Sequence, residues 1–217
     1  MTPPPGRRER RKAETRQAIS DVATELIIQR GFEAVSMSEI AEAAGVSRKT
    51  VFNYFASKEH LVFDRDEEAR VLLREGMLAR REMTPLAAFQ ALVRQLLDSG
   101  HPLLRINGGA AAFWATVADS PVLVAHARRL QAQLTDDLAQ LMADAAGRAA
   151  DDAEARLGAA MLMASMVAAY EQGLASQRRA EDPRDPRGAM LQLIVRGATG
   201  VLVALAGTPY TDPGPRP

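Results

Sequence analysis

The chain has 217 residues, with 27 basic and 27 acidic side chains and no cysteine. That length allows one large domain or two small ones with a sizeable core. The missing thiols exclude a disulfide framework, a thiolate nucleophile and a sulfur-ligated metal. Formal neutrality does not exclude a nucleic-acid partner, because local charge distribution matters more than the sum.

Residues 1–9 read as a disordered basic arm. A Pro/Gly-rich start leads into RRERRK at 7–12, five positive charges against one negative. Such a run is either solvated or, directly before a DNA-binding helix, touches phosphate or enters a minor groove. The N-terminus carries no apolar h-region and does not read as a signal peptide. A first helix is expected from about Arg10 to Arg30, with Ile19, Val22, Ala23, Leu26 and Ile27 on one face and Gly31 as its stop.

Ser36 and Glu39 form S-x-x-E, a capping box that opens a second helix. Ile40, Ala41 and Ala44 give that helix an apolar face, and Gly45 suits a left-handed end. Val46 plugs the turn, and Ser47 caps a third helix of about 48–55. Val51 and Phe55, at i and i+4, mark its buried side. Lys49 and Asn53 then point away from that side, flanked by Thr50 and Phe52, and Arg48 reaches outward from the first turn. A short helix that buries Val and Phe and presents Arg, Lys, Thr and Asn suits a DNA major groove. Ser57 opens a fourth helix, expected to run through Phe63, Val71 and Leu72 to about Arg80. Lys58 at its first position is electrostatically misplaced unless it meets an external phosphate.

Further helices are expected from Pro85, near 109–118, from Ser120-Pro121 to about Ala146, over 151–177 and over 188–206. RRAEDPRD reads as a polar loop and residues 207–217 as a disordered tail. No strand signal is present, so the fold is all-α. Residues 10–57 are expected to form an N-terminal three-helix DNA-binding domain and 58–206 a second helical domain.

Residues 10–63 resemble the DNA-binding domain of the tetracycline-repressor (TetR) family. The resemblance is carried by Thr15-Arg16-x-x-Ile19, Ala23, Arg30-Gly31-Phe32, Ser36-x-x-x-Ile40-Ala41, Ala44-Gly45-Val46-Ser47, Thr50-Val51-Phe52-Asn53-Tyr54-Phe55 and Ser57-Lys58-Glu59. It implies ligand binding and dimerisation for residues 58–206, and base contacts from Arg48, Lys49 and Asn53. It implies phosphate contacts from Ser36, Ser47, Thr50, Tyr54 and Lys58. Phe52 occupies another phosphate-contacting position, where the family often has Tyr. Its hydroxyl is lost, but the ring can pack on a thymine methyl.

The segment 157–169 is apolar nearly all round, which demands cover on both sides, but is too short to span a bilayer. The last helix carries small residues at Gly197, Ala198, Gly200 and Ala204. These features and the resemblance point to a homodimer built on Leu157, Met161, Gly197, Gly200, Val201 and Ala204. Such a dimer reads a pseudo-palindromic operator in double-stranded DNA. Phe89, Leu92, Phe113, Trp114, Val117, Met163, Met166 and Tyr170 either fill a core or line a pocket for a largely apolar small-molecule effector. The function expected is a cytoplasmic transcriptional regulator, a repressor released by that effector. The alternatives are an activator and an architectural DNA binder without effector.

Nothing in the sequence suggests an enzyme. His60, His101 and His126 form no H-x-x-x-H or H-E-x-x-H set. There is no G-x-S-x-G elbow and no phosphate-binding glycine loop. No catalytic residue, metal, cofactor or membrane partner is expected.

Overall fold

The computed structural model describes residues 6–178 and 186–212. The helices are α1 (Arg7–Arg30), α2 (Met37–Ala43), α3 (Arg48–Tyr54), α4 (Lys58–Val62), α5 (Asp66–Leu78), α6 (Pro85–Asp98), α7 (Gly108–Asp119), α8 (Pro121–Ala145), α9 (Ala153–Arg178) and α10 (Pro186–Ala204). Ser36, Ser47 and Thr84 cap α2, α3 and α6 with their side chains. A 3-10 turn, Pro102–Leu104, joins α6 to α7, and no strand occurs among the described residues. No single helix among them is long and apolar enough to cross a membrane.

The chain divides into two units, which we call the head and the body. The head takes residues up to 64 together with 112–127, and the body takes 65–111 and everything from 128 onward. The expected single fourth helix is therefore two. α4 ends at Phe63, whose φ of −102° and ψ of 51° leave the helical region. Phe63 turns into a ring cluster with Phe113 and Trp114, at centroid distances of 6.0 and 6.3 Å. α5 then starts afresh with Asp66, Glu67 and Glu68, acids that suit a helix N-terminus.

The head core is built from Ile19, Ala23 and Ile27 of α1, Ile40 of α2, Val51 and Phe55 around α3, and Leu61 of α4. Val117 and Leu123 complete it. Ser20 is buried on α1 and its hydroxyl donates to the Leu61 carbonyl at 3.1 Å, tying α1 to α4.

The body core gathers Leu73, Phe89, Leu92, Leu138, Met142, Leu162, Met190 and Val201. α9 and α10 pack closely. A Cβ added to Gly197 would lie 2.3 Å from the Ser165 Cβ. Gly197 thus serves contact within the protomer, and Val201 is fully buried. Both leave the expected dimer surface for this reason.

The expected tail also changes. Tyr210 is fully buried, its hydroxyl donates to Asp152 at 2.9 Å, and its carbonyl accepts from the Leu86 N–H at 3.2 Å. Burial first, then that bond, raises the Tyr210 pKa. Residues 213–217, the 1–5 stretch of the arm and 179–185 of the polar loop lie outside the described residues. Of the arm, residues 7–9 are already helical.

Candidate nucleic-acid interface

Local hydrogen bonds place α2 and α3. The Ser36 hydroxyl accepts from the Glu39 N–H at 3.2 Å, and the Glu39 carboxylate accepts from the Ser36 N–H at 2.8 Å. Arg30 adds a second partner to Glu39 at 2.8 Å. The bonds from Ser36, then from Arg30, hold the Glu39 carboxyl down at about 2.

α2 ends in a Schellman arrangement. The Val46 N–H reaches the Ala41 carbonyl at 2.9 Å, and the Gly45 N–H reaches Glu42 at 3.0 Å. Gly45 has φ of +65°, a left-handed conformation that a residue with a Cβ resists. The turn then hands the chain to Ser47, whose hydroxyl accepts from the Thr50 N–H at 3.0 Å.

The third helix thereby acquires one fixed inner side and one open side. Val51 and Phe55 are buried, whereas Arg48, Lys49, Phe52 and Asn53 are exposed. The Arg48 guanidinium lies 5.5 Å from the Phe52 ring centroid, one turn along, which steadies a flexible cation over an aromatic face. Two cations and one carboxamide on the outer face match the donor and acceptor code of guanine and adenine edges.

The hydroxyl positions are partly spent on the fold. Ser47 Oγ and Thr50 Oγ1 lie 2.7 Å apart. One hydrogen serves that pair and the other stays available to a phosphate oxygen. Ser36 Oγ accepts from the Glu39 N–H, and its hydroxyl also helps hold the Glu39 carboxylate. Tyr54 is half-buried against the head core.

Lys58 departs from its expected role. Its ammonium donates inward to the carbonyls of Phe32 at 2.5 Å and Val35 at 2.9 Å, and stands 4.0 Å from the Phe32 ring centroid. In this structure the helix-start cation is compensated by the carbonyls of the α1–α2 connection.

Two head contacts escaped the sequence reading. Arg16 lies 4.7 Å from the Phe55 ring centroid and 4.0 Å from Asp64. The buried hydroxyl of Ser120, which caps α8, also donates to Glu33 at 2.6 Å. That bond is the first cause of the lowered Glu33 pKa. Neither partner stands at a recognisable spacing, so only the fold brings them together.

The other expected sites split between the units. Phe113, Trp114 and Val117 belong to the head core. Phe89, Leu92, Met163, Met166 and Tyr170 belong to the body cluster. The single interior expected for all eight is replaced by two cores, because residues 112–127 cluster with the head. On the proposed dimer face, Leu157 and Ala204 are exposed, while Met161 and Gly200 are half-buried.

A capped α2, a glycine turn and a capped α3 with a basic outer face define a helix-turn-helix DNA-binding regulator. Residues 19–64 match the family described as bacterial regulatory proteins, tetR family. The chain is 32% identical over 161 residues to the HTH-type transcriptional regulator BetI of Rhizobium meliloti, covering 71% of this chain and 79% of that one. It is 53% identical over 49 residues to a mycofactocin biosynthesis transcriptional regulator, MftR, of Mycobacterium tuberculosis, covering 23% of this chain and 25% of that protein. The fold is shared with NalD of Pseudomonas aeruginosa, the secondary repressor of the MexAB-OprM multidrug efflux pump. There the TM-score is 0.57 at 22% identity, over 85% of this chain and 97% of that one. The chain belongs to the TetR family of transcriptional regulators, DNA-binding proteins that are not enzymes.

Proposed function

We propose that the chain is a cytoplasmic repressor that binds a pseudo-palindromic operator as a homodimer and is released by a largely apolar small molecule. Residues 10–57 read DNA, and 58–206 sense and dimerise. The observation that carries the reading is the outer face of α3, where Arg48, Lys49 and Asn53 are exposed opposite the buried Val51. Arg48 and Lys49 suit guanine and Asn53 suits adenine, while Ser36, Ser47, Thr50 and Tyr54 position the helix on phosphates.

The dimer reading is supported by apolar side chains left outside on the last two helices. Leu157 is 49% exposed, Leu202 49% and Val203 73%. Leu157 and Val203, with Met161, Gly200 and Ala204, form a face that water covers poorly and that a second copy can cover by twofold symmetry, whereas Leu202 lies about 160° round α10 from Gly200. The effector reading is supported by the methionines of the body, Met77, Met142, Met163, Met166 and Met190, which adapt to apolar guests. An effector shifts the regulator only by its differential affinity for two states.

The test is selection of duplex sites from a random pool with the full chain. A pseudo-palindrome is expected. Asn53→Ala should relax one position in each half-site, costing about 1–3 kcal/mol of discrimination. Selection that enriches no site, or an unaltered preference in the variant, overturns the assignment. Light scattering should show Gly200→Arg as a monomer that has lost tight operator binding.

A further inference from the structure

α1 changes character along one face. At 100° per residue, Ile19, Ala23 and Ile27 form a stripe that the structure buries in the head core. Followed toward the N-terminus, the same stripe passes through Arg16, Lys12 and Arg8, each within about 60° of its centre. Arg7 and Arg11 lie more than about 100° away, on the outer side. The inward face of α1 is therefore apolar where it covers the core and cationic where it runs past it.

Arg16 marks the crossing point. It stacks over Phe55, the residue that ends the recognition helix, and approaches Asp64. Lys12 and Arg8 stand about 6 and 12 Å further along the axis, at 1.5 Å per residue. Both are exposed, and among the described residues neither has an acidic partner within 4.0 Å. The only acid of the run, Glu9, is used on the Gly6 N–H at 3.0 Å. Cations in the first turns of a helix are opposed by its dipole, so this arrangement does not stabilise the isolated chain.

We propose that Arg8 and Lys12 are a second DNA contact, a phosphate clamp that overhangs the backbone flanking the half-site read by α3. The partner follows from charge complementarity with a polyanion, and Arg16 on the same stripe ties this face of α1 to the C-terminal end of the recognition helix at Phe55. Residues 7–12 are helical, so their cations are presented from a helix with one working side. The inference rests on the operator-binding reading above.

The test compares two charge-matched double variants of the full chain, R8A/K12A and R7A/R11A. Each is assayed on the site selected by the wild type, extended by flanking duplex, across a salt series. Loss of Arg8 and Lys12 should lower affinity at least tenfold near 0.15 M salt. It should also reduce the slope of log K against log salt by about two per subunit, with base preference intact. Loss of Arg7 and Arg11 should have less than half that effect, and R8K/K12R should keep the wild-type slope. Equal slopes for the two alanine variants, or no change in either, overturn the clamp while leaving the regulator reading standing. A wild-type chain that selects no site overturns both. Matching thermal transitions for all variants exclude misfolding.

Discussion

The head and the body differ most in what fills their cores, since methionine is common in the body core and nearly absent from that of the head. In the head, polar groups pin the helix ends: Ser36 with Glu39 and Arg30, Ser47 with Thr50, Lys58 with two carbonyls, and Ser120 with Glu33. In the body, long helices pack through apolar side chains rich in methionine. Polar ties occur there as well, such as Arg70 to Asp137 at 2.7 Å and Tyr210 to Asp152 at 2.9 Å, and Thr84 and Asp152 cap α6 and α9. A surface that reads base edges tolerates little displacement, so its helix ends are fixed individually. A core of flexible side chains accepts rearrangement, which suits a region proposed to respond to a ligand.

The sharpest way to break this contrast is to cut a cavity on each side. Ile40 and Met142 are both fully buried. Ile40→Ala should cost about 4 kcal/mol in chemical denaturation and Met142→Ala about 2–3, since flexible neighbours refill the gap. Met142→Leu should cost less than about 1.5 kcal/mol. An equal cost for the two truncations would remove the distinction.

The body has one place where it cannot give. Gly197→Ala should destabilise by roughly 2 kcal/mol despite better helix propensity, because the new methyl meets Ser165. Ser165→Gly in the same chain should restore much of the loss. At Gly200 the nearest atom to an added Cβ is Met161 Cε at 3.8 Å, an ordinary contact, so Gly200→Ala should be neutral or slightly stabilising.

These positions also show what a sequence reveals. Ser36, Glu39, Gly45 and Ser47 were legible because caps and left-handed turns join neighbours within five residues. Arg48, Lys49 and Asn53 were legible because helical spacing sets them opposite Val51. The inward bonds of Lys58 were not legible, since its two acceptors lie 26 and 23 residues back in the chain. Trp114 and Phe113 were placed with Phe89 because aromatic rings at helical spacing say nothing about which core receives them. Gly197 and Gly200 look alike in the sequence, and only the path of α9 separates them.

A smaller effect sharpens the reading of the head. Lys58→Met should cost roughly 1.5 kcal/mol by stranding two carbonyls. It should leave the salt slope of DNA binding unchanged, whereas a phosphate ligand would lower it by about one per subunit. The weakest effect is a pH dependence. The folded-state pKa of Glu39 is depressed from 4.5 to about 2, so its contribution is complete above the unfolded value and is lost as pH falls through that interval. Acid titration of thermal stability should show this loss in the wild type and its absence in Glu39→Gln.

The inclusion of residues 112–127 in the head has a consequence for the order in which the protein is made. Val117 and Leu123 are buried there among side chains from the first 64 residues. A nascent chain that has passed its recognition helix still lacks part of the head core, and residues 65–111 must be synthesised before that part arrives. The earliest domain to emerge is thus not the earliest to be complete, in contrast to chains that fold strictly from the N-terminus. The head core is whole only once the start of α8 has been made.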